Sequence, residues 1–202
     1  QFRRIVEEFD AGETRYYKGA NQRIRKITGA MVSLGVDRFF VPGSEVQYDL
    51  RWRNVDRVSL SLVPIDLTRD IDTTERKPYQ YADGIQIGRT APVSTWTFET
   101  GDEGEHRPGD DKLTIAERPA AGAYMLIAEA KGETSRSLVL VSDVLLSTKG
   151  NGNKTLGWLT DLETGAPVAE ARIFFWERYY DEEWRTRSVE GVTAADGTPH
   201  RS

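Results

Sequence analysis

The strongest constraint on the fold is a change of hydrophobic period at Gly29. Before Gly29, apolar residues recur at helical spacing in two runs: Phe2, Ile5, Val6 and Phe9, and then Tyr17, Ala20, Ile24 and Ile27. After Gly29 the apolar residues alternate with polar ones, as in Val46, Tyr48, Leu50 and Trp52 and again in Val58, Leu60 and Leu62. The sequence therefore predicts a helical hairpin over residues 1–29 followed by half-buried strands.

Short strands continue along the chain and predict a mainly β fold. Further alternating segments are Val93–Phe98, Lys112–Ile115, Ala123–Ala130 and Ser135–Val141, with Gly and Pro in the gaps between them. Asn54–Asp56 is interpreted as a short hairpin connection, and Ile85 with Ile87 as a short edge strand within the long loop 67–92. Many short strands separated by turns favour an Ig-like or fibronectin-like antiparallel β-sandwich over residues 30–148.

A second β domain is predicted over residues 149–202. Gly150–Asn153 has the composition of a flexible linker, and alternating segments follow it around Trp158, Ile173 and Trp184. About three strands fit in this stretch, which is near the lower limit for independent stability. We therefore expect an incomplete domain that leans on the first sandwich, and a chain that is a fragment of a longer secreted or cell-envelope protein.

Composition excludes several classes of function. The 202 residues are 38% hydrophobic and 29% charged, and they carry a net charge of −5 with acids and bases interspersed. We expect no nucleic-acid partner, since no basic stripe stands out, and no membrane span, since no apolar run is long enough. The chain has no cysteine, so it has no disulfide, zinc–thiolate site or cysteine nucleophile.

Catalytic chemistry has almost no support in the sequence. His106 lies in an acidic, Gly-rich loop (99–111), and no serine sits in a nucleophile elbow. Acidic residues in two stretches suggest possible sites, but solvated loops are the favoured interpretation of both. The loop 99–111 would suggest a calcium site through Asp102, Glu103, Glu105, Asp110 and Asp111. The stretch before it would suggest a polar site through Asp66, Asp70 and Asp72 with Thr68, Thr73 and Thr74. No catalytic residue, metal site or cofactor is predicted.

Aromatic residues near the end of the chain are the best candidates for a contact surface. Trp52, Trp96 and Trp158 lie in alternating strands, where core packing is the default. Trp176 and Trp184 flank an acidic segment that also contains Tyr179 and Tyr180. Aromatic residues at a loop tip favour a protein interface, so the candidate interaction surface is Trp176, Tyr179, Tyr180 and Trp184.

Four phrases in a fixed order resemble the bacterial alpha-2-macroglobulin family. The most specific is TDLETGAPVAEARI, in which Thr160, Asp161, Leu162, Thr164, Gly165, Pro167, Val168 and Ala171 match the opening of a macroglobulin domain. The others are the turn Phe40–Gly43, the hairpin phrase at Arg53–Val55, and the strand opening Pro119–Tyr124, in which the Tyr124 hydroxyl is expected to bond nearby backbone. The resemblance covers roughly residues 30–198, and the helical hairpin departs from the usual layout.

The resemblance implies a scaffold role. Members of the family trap proteases through a bait region, and in many of them a Cys–Gln thioester captures the attacker. This chain cannot hold the thioester, so it is interpreted as scaffold from the N-terminal half of a periplasmic or extracellular endopeptidase inhibitor. Its implied partners are neighbouring domains of the same longer chain and the target proteases. The alternative is a carbohydrate-binding or adhesive Ig-like module of a bacterial surface protein.

Overall fold

The computed structural model describes residues 1–37, 39–70, 84–88, 90–150 and 155–201, with two helices and thirteen strands in these ranges. The helices are α1 (Phe2–Glu8) and α2 (Tyr17–Thr28). The strands are β1 (Met31–Val36), β2 (Phe39–Phe40), β3 (Gln47–Arg53), β4 (Arg57–Ile65), β5 (Ser94–Glu99), β6 (Gly109–Thr114), β7 (Gly122–Ala130), β8 (Glu133–Val141), β9 (Val144–Gly150), β10 (Thr155–Asp161), β11 (Arg172–Asp181), β12 (Glu183–Thr193) and β13 (Pro199–Arg201).

Strands β1–β8 form a two-layer structure, which we call the first sandwich. One layer has the order β1-β3-β6, and the other has the order β2-β8-β7-β4-β5. All pairings are antiparallel except the short β2–β8 pair. The antiparallel β-sandwich class is thereby confirmed, as are the predicted strands other than the edge strand at Ile85 and Ile87.

The core lies between the two layers because alternate residues of each strand point inward. Leu50 from one layer and Leu62 and Leu126 from the other are fully buried. Trp96 donates from its indole N–H to the Tyr48 hydroxyl at 3.0 Å. Burying these side chains contributes about 1.5–3 kcal/mol each, so this layer contact is the main source of stability.

The connection at Asn54–Asp56 is a corner between the two layers, which corrects the predicted hairpin. β3 pairs with β1 and β6, whereas β4 pairs with β5 and β7. Asn54 takes a left-handed conformation (φ 56°), and Val55 is fully buried. The hydrophobic alternation is the same on both sides of a corner and of a hairpin, so the pattern alone could not separate them.

The corner also holds the helical hairpin. The Asn54 side-chain N–H donates to the carbonyls of Ile27 and Gly29, both at 2.8 Å, and the Arg53 guanidinium donates to the carbonyl of Lys26. These carbonyls belong to the C-terminal end of α2, where the helix itself supplies no donors. Arg53 and Asn54 therefore cap a helix that lies more than twenty residues earlier in the sequence.

The outer face of the five-stranded layer is partly covered. Met125 and Ile127 of β7 point away from the main core and are buried under Ile85, with Ile87 packed beside them. Ile85–Gly88 is not a strand, so the predicted edge strand is wrong. The two isoleucines instead cover the outer face of β7, which explains why β7 is apolar on both faces.

Strands β9–β13 form what we call the second unit. β9 pairs with β10, and β11-β12-β13 form a separate antiparallel sheet. The two sheets meet at Gly157, where an added Cβ would lie 3.5 Å from the Phe175 ring and 3.6 Å from Pro199. The proposed domain limits 1–29, 30–148 and 149–202 stay a prediction. Among the described residues, β9 pairs only with β10. This pairing favours a boundary between the first sandwich and the second unit that lies before Val144.

Local turn chemistry follows the sequence motifs. The Tyr124 hydroxyl donates to the Ala120 carbonyl at 3.0 Å, as predicted. Asp161 accepts from the Thr164 N–H at 2.7 Å and from its hydroxyl at 2.6 Å, and these bonds, the hydroxyl first, lower the pKa of Asp161. Gly165 then turns with φ 70°. None of the helices in the described ranges has the length and apolar character that a membrane crossing needs.

Candidate functional site

The candidate surface lies on a long hairpin of the second unit. β11 and β12 pair continuously from Arg172↔Val192 to Asp181↔Glu183. The chain reverses at Glu182, which adopts the left-handed conformation (φ 58°). Because the hairpin is two-stranded near its tip, both of its faces are available to solvent or to another protein layer.

Strand alternation separates the hairpin residues into two faces. We call one of them the ladder face, and it consists of Arg172, Phe174, Trp176, Arg178 and Tyr180 from β11 and Trp184, Thr186, Ser188, Glu190 and Val192 from β12. Tyr180 is 68% exposed, Trp184 is 59% exposed and Trp176 is 37% exposed. These are large apolar side chains for a surface, which makes the face a candidate contact surface.

Cations and rings interleave along the ladder face. The Arg178 guanidinium lies 4.6 Å from the centroid of the Trp184 ring, and the Tyr180 and Trp184 rings meet edge to face at 5.5 Å. Further along, Trp176 stacks on Phe174 at 6.4 Å. Each such contact adds about 0.5–1 kcal/mol, so neighbouring side chains restrain the exposed rings.

The opposite face of the hairpin is charged toward the tip. The Arg187 guanidinium bonds Glu177 at 2.5 Å and lies 5.5 Å from the centroid of the Tyr179 ring. Arg185 lies 3.8 Å from Asp181 and 3.4 Å from Glu183. The structure therefore brings Trp176, Tyr180 and Trp184 together on the ladder face and places Tyr179 on the other side.

Sequence reasoning missed the other members of the ladder. Phe174 and Arg178 belong to the same face as the predicted residues, because the period of a strand is two. The spacing R-x-F-x-W-x-R-x-Y over residues 172–180 carried that signal, since cations and rings stand at every second position. The prediction selected aromatic residues near the expected loop tip and did not consider which face of the strand each residue occupies.

The acidic candidates form no metal site in the part of the chain that the structure describes. Asp102 instead closes its own loop: it accepts from the Gly104 N–H at 2.7 Å, and that bond lowers its pKa. Asp66 accepts from the Thr68 N–H and hydroxyl and pairs with Arg69. Asp72, Thr73 and Thr74 lie outside the described residues, as do Asn151, Gly152 and Asn153 of the predicted linker.

The three remaining tryptophans do not contribute to the candidate surface. Trp52 is buried, and its ring meets Phe98 edge to face at 5.4 Å. Trp96 is half-buried and bonded to Tyr48, and Trp158 is half-buried in β10. The surface is therefore confined to the ladder face of the β11–β12 hairpin.

The described residues thus form a helical hairpin, an antiparallel β-sandwich and a smaller β unit with an exposed aromatic ladder. No protein-family model and no curated protein sequence matches the chain. Its fold is similar to solved structures of native alpha-2-macroglobulin from Escherichia coli. The resemblance found in the sequence motifs is thus confirmed at the level of the fold.

Two of these structures differ in extent. The one spanning domains MG0-NIE-MG1 has a TM-score of 0.54 and 18% identity, and the match covers 83% of this chain and 56% of that one. The one spanning domains NIE-MG1 has a TM-score of 0.52 and 17% identity, and the match covers 85% of this chain and 88% of that one. The chain therefore spans about half of the first fragment and most of the second.

Proposed function

We propose that the chain is scaffold from the N-terminal half of an alpha-2-macroglobulin-like endopeptidase inhibitor. The observation that carries the proposal is the match over 88% of a fragment described as NIE-MG1, together with the ordered motifs of the sequence. In this account the chain is not an enzyme, and it lies in the periplasm or outside the cell. Its part in trapping is mechanical, since it holds neighbouring domains in place.

The two regions of the chain divide this mechanical role. The first sandwich has its own core and serves as the rigid element. The ladder face exposes rings that are fixed in position, and such rings lose little side-chain freedom when a partner covers them. We assign this face to contact with a neighbouring domain of the same longer chain.

A trapping assay on the longer protein tests the proposal. The protein is incubated with a broad-specificity protease, and cleavage of a large protein and of a small peptide is then measured. Loss of activity on the large substrate alone is the expected result, because physical entrapment leaves the protease active site open to small peptides. Unchanged cleavage of both substrates would contradict the proposal and leave the fold unaffected.

The exposed pair Tyr180 and Trp184 favours one second candidate, a carbohydrate-binding or adhesive module. Aromatic rings on a surface can stack on sugar rings, and the pair is held at 5.5 Å. Tryptophan fluorescence titration with polysaccharides separates the candidates when Trp184→Ala is compared with Trp158→Phe. Quenching that disappears only in the first variant would favour this function, and the absence of quenching with every glycan would reject it.

A further inference from the structure

Positive charge is concentrated in one segment of this acidic chain. From Thr14 to Val36 the sequence contains five bases and no acid. Since the whole chain carries −5, the remainder carries −10. The five bases are Arg15, Lys18, Arg23, Arg25 and Lys26, and they lie in or directly before α2.

These bases are not neutralised by the protein itself. Elsewhere arginines pair with carboxylates, as in Arg57 with Glu99 at 2.7 Å and Arg172 with Glu190 at 2.8 Å. Within the described ranges, none of the five bases near α2 forms an ion pair. Unpaired cations that lie close together create a positive potential that attracts anions.

Three of these cations line one groove. It lies between the α1–α2 turn and one flank of α2, has a volume of about 780 Å³, and contains Arg15, Lys18 and Arg25. Thr14, Asn21 and Gln22 also line it, and no carboxylate does. The groove thus offers cationic and neutral hydrogen-bond donors without a negative group to repel an anion.

Spacing along the helix selects the kind of anion. Lys18 and Arg25 are seven residues apart, which is two helical turns or about 10 Å along the axis. A ligand with several phosphates can place a separate phosphate at each cation without drawing the two side chains together, whereas a single phosphate requires Lys18 and Arg25 to converge on it. The amides of Asn21 and Gln22 lie between the two cations and can donate to oxygens in the middle of such a chain.

We propose that this groove binds a soluble, multiply phosphorylated ligand. The concave shape fits a narrow chain better than a flat bilayer, and the contacts are charge-assisted hydrogen bonds. The site lies at the opposite end of the sequence from the ladder face and is independent of the proposed trapping function. It adds a binding site on the helical hairpin to a chain whose other surfaces are acidic overall.

The test uses the 202-residue chain and short-chain inorganic polyphosphate as the probe, with binding measured by isothermal titration calorimetry at low and moderate salt. Lys18→Gln combined with Arg25→Gln should weaken binding at least about tenfold, as each lost charge-assisted contact weakens it. Orthophosphate should bind far more weakly than polyphosphate, and added salt should weaken the polyphosphate complex.

The matched control is Arg23→Gln combined with Lys26→Gln. It removes the same two charges from the same helix, but neither residue lines the groove. Circular dichroism checks that both variants keep their helices, since Gln has a helix propensity close to that of Lys and Arg. Retained affinity in the control supports the proposal. Equal losses in both variants, no binding of polyphosphate, or binding only to phosphatidylglycerol vesicles would overturn it.

Discussion

The first sandwich and the second unit have similar sequence patterns but bury their apolar residues to different extents. Most of the buried hydrophobic residues lie in the first sandwich, whereas Leu159 and Ile173 are the buried ones described in the second unit. Leu145, Leu146 and Leu156 of the second unit stay exposed by 46%, 38% and 46%. Alternation therefore creates a core only where a second layer covers the strand, and it leaves apolar side chains exposed where none does.

Core truncations should give the largest difference between the two regions. Leu50→Ala removes a fully buried side chain and should cost about 2–5 kcal/mol of unfolding free energy. Leu156→Ala removes a side chain that is 46% exposed and should cost less than about 1 kcal/mol. Urea unfolding of both variants measures this, and similar losses would break the comparison.

Two glycine substitutions should show where the second unit is tightly packed. A Cβ on Gly197 would lie 2.5 Å from the Leu159 carbonyl oxygen, at a φ of 78°, so Gly197→Ala should cost about 1–3 kcal/mol. Gly165 has a similar φ of 70° but open space around it, so Gly165→Ala should cost about 1 kcal/mol or less. Thermal unfolding decides between them, and a larger loss for Gly165→Ala would show that the turn at Gly197 is not constrained by packing.

Removal of the Asn54 side chain should weaken the attachment of the helical hairpin to the first sandwich. Asn54→Gly keeps the left-handed backbone but deletes the bonds to Ile27 and Gly29 and the bond to the His106 ring at 2.6 Å, which together should cost about 1–2 kcal/mol. Amide hydrogen exchange should rise in α2 and not in β7. Lys131→Ala is the control, because it removes a different bond of the same corner, from the Lys131 ammonium to the Asn54 carbonyl at 3.0 Å. Unchanged exchange in α2 would mean that the corner does not hold the hairpin.

Acid should affect the turn of the second unit by a small amount. The pKa of Asp161 is lowered from 3.8 by bonds from Thr164, so its contribution to stability is complete above pH 3.8 and is lost as the pH falls through the lowered pKa. The protection of residues 160–168, corrected for the intrinsic pH dependence of amide exchange, should therefore decrease below that pH. Asp161→Ala should show fast exchange already at neutral pH, and a wild-type turn that is insensitive to acid would exclude this role.

The amino-acid sequence predicts the local pattern of this fold better than its long-range pairing. The strands, the turn at Thr164–Gly165 and the Tyr124 hydroxyl bond follow from spacing and side-chain chemistry within a few residues. The corner at Asn54 could not be predicted, because its partners Ile27 and Gly29 are more than twenty residues away. For the same reason the sequence predicted an edge strand at Ile85, whereas Ile85 packs over the distant strand β7.

The candidate surface was predicted in part for a related reason. Exposure of Trp176, Tyr180 and Trp184 follows from their place in a two-stranded hairpin. Tyr179 was grouped with them because it is adjacent in sequence, although neighbouring residues of a strand point to opposite faces. The net charge of −5 gives no sign of the basic flank of α2, because acids in the rest of the chain outnumber its five bases.

Footprinting of the ladder face tests the central claim most directly. Hydroxyl-radical oxidation of Trp176, Tyr180 and Trp184 is compared between the 202-residue chain and the longer protein proposed to contain it, with Tyr179 on the opposite face as the internal reference. The account predicts that the three ladder residues are oxidised in the 202-residue chain and protected in the longer protein, with little change at Tyr179. Equal oxidation of the ladder residues in both proteins would contradict the claim that this face holds a neighbouring domain.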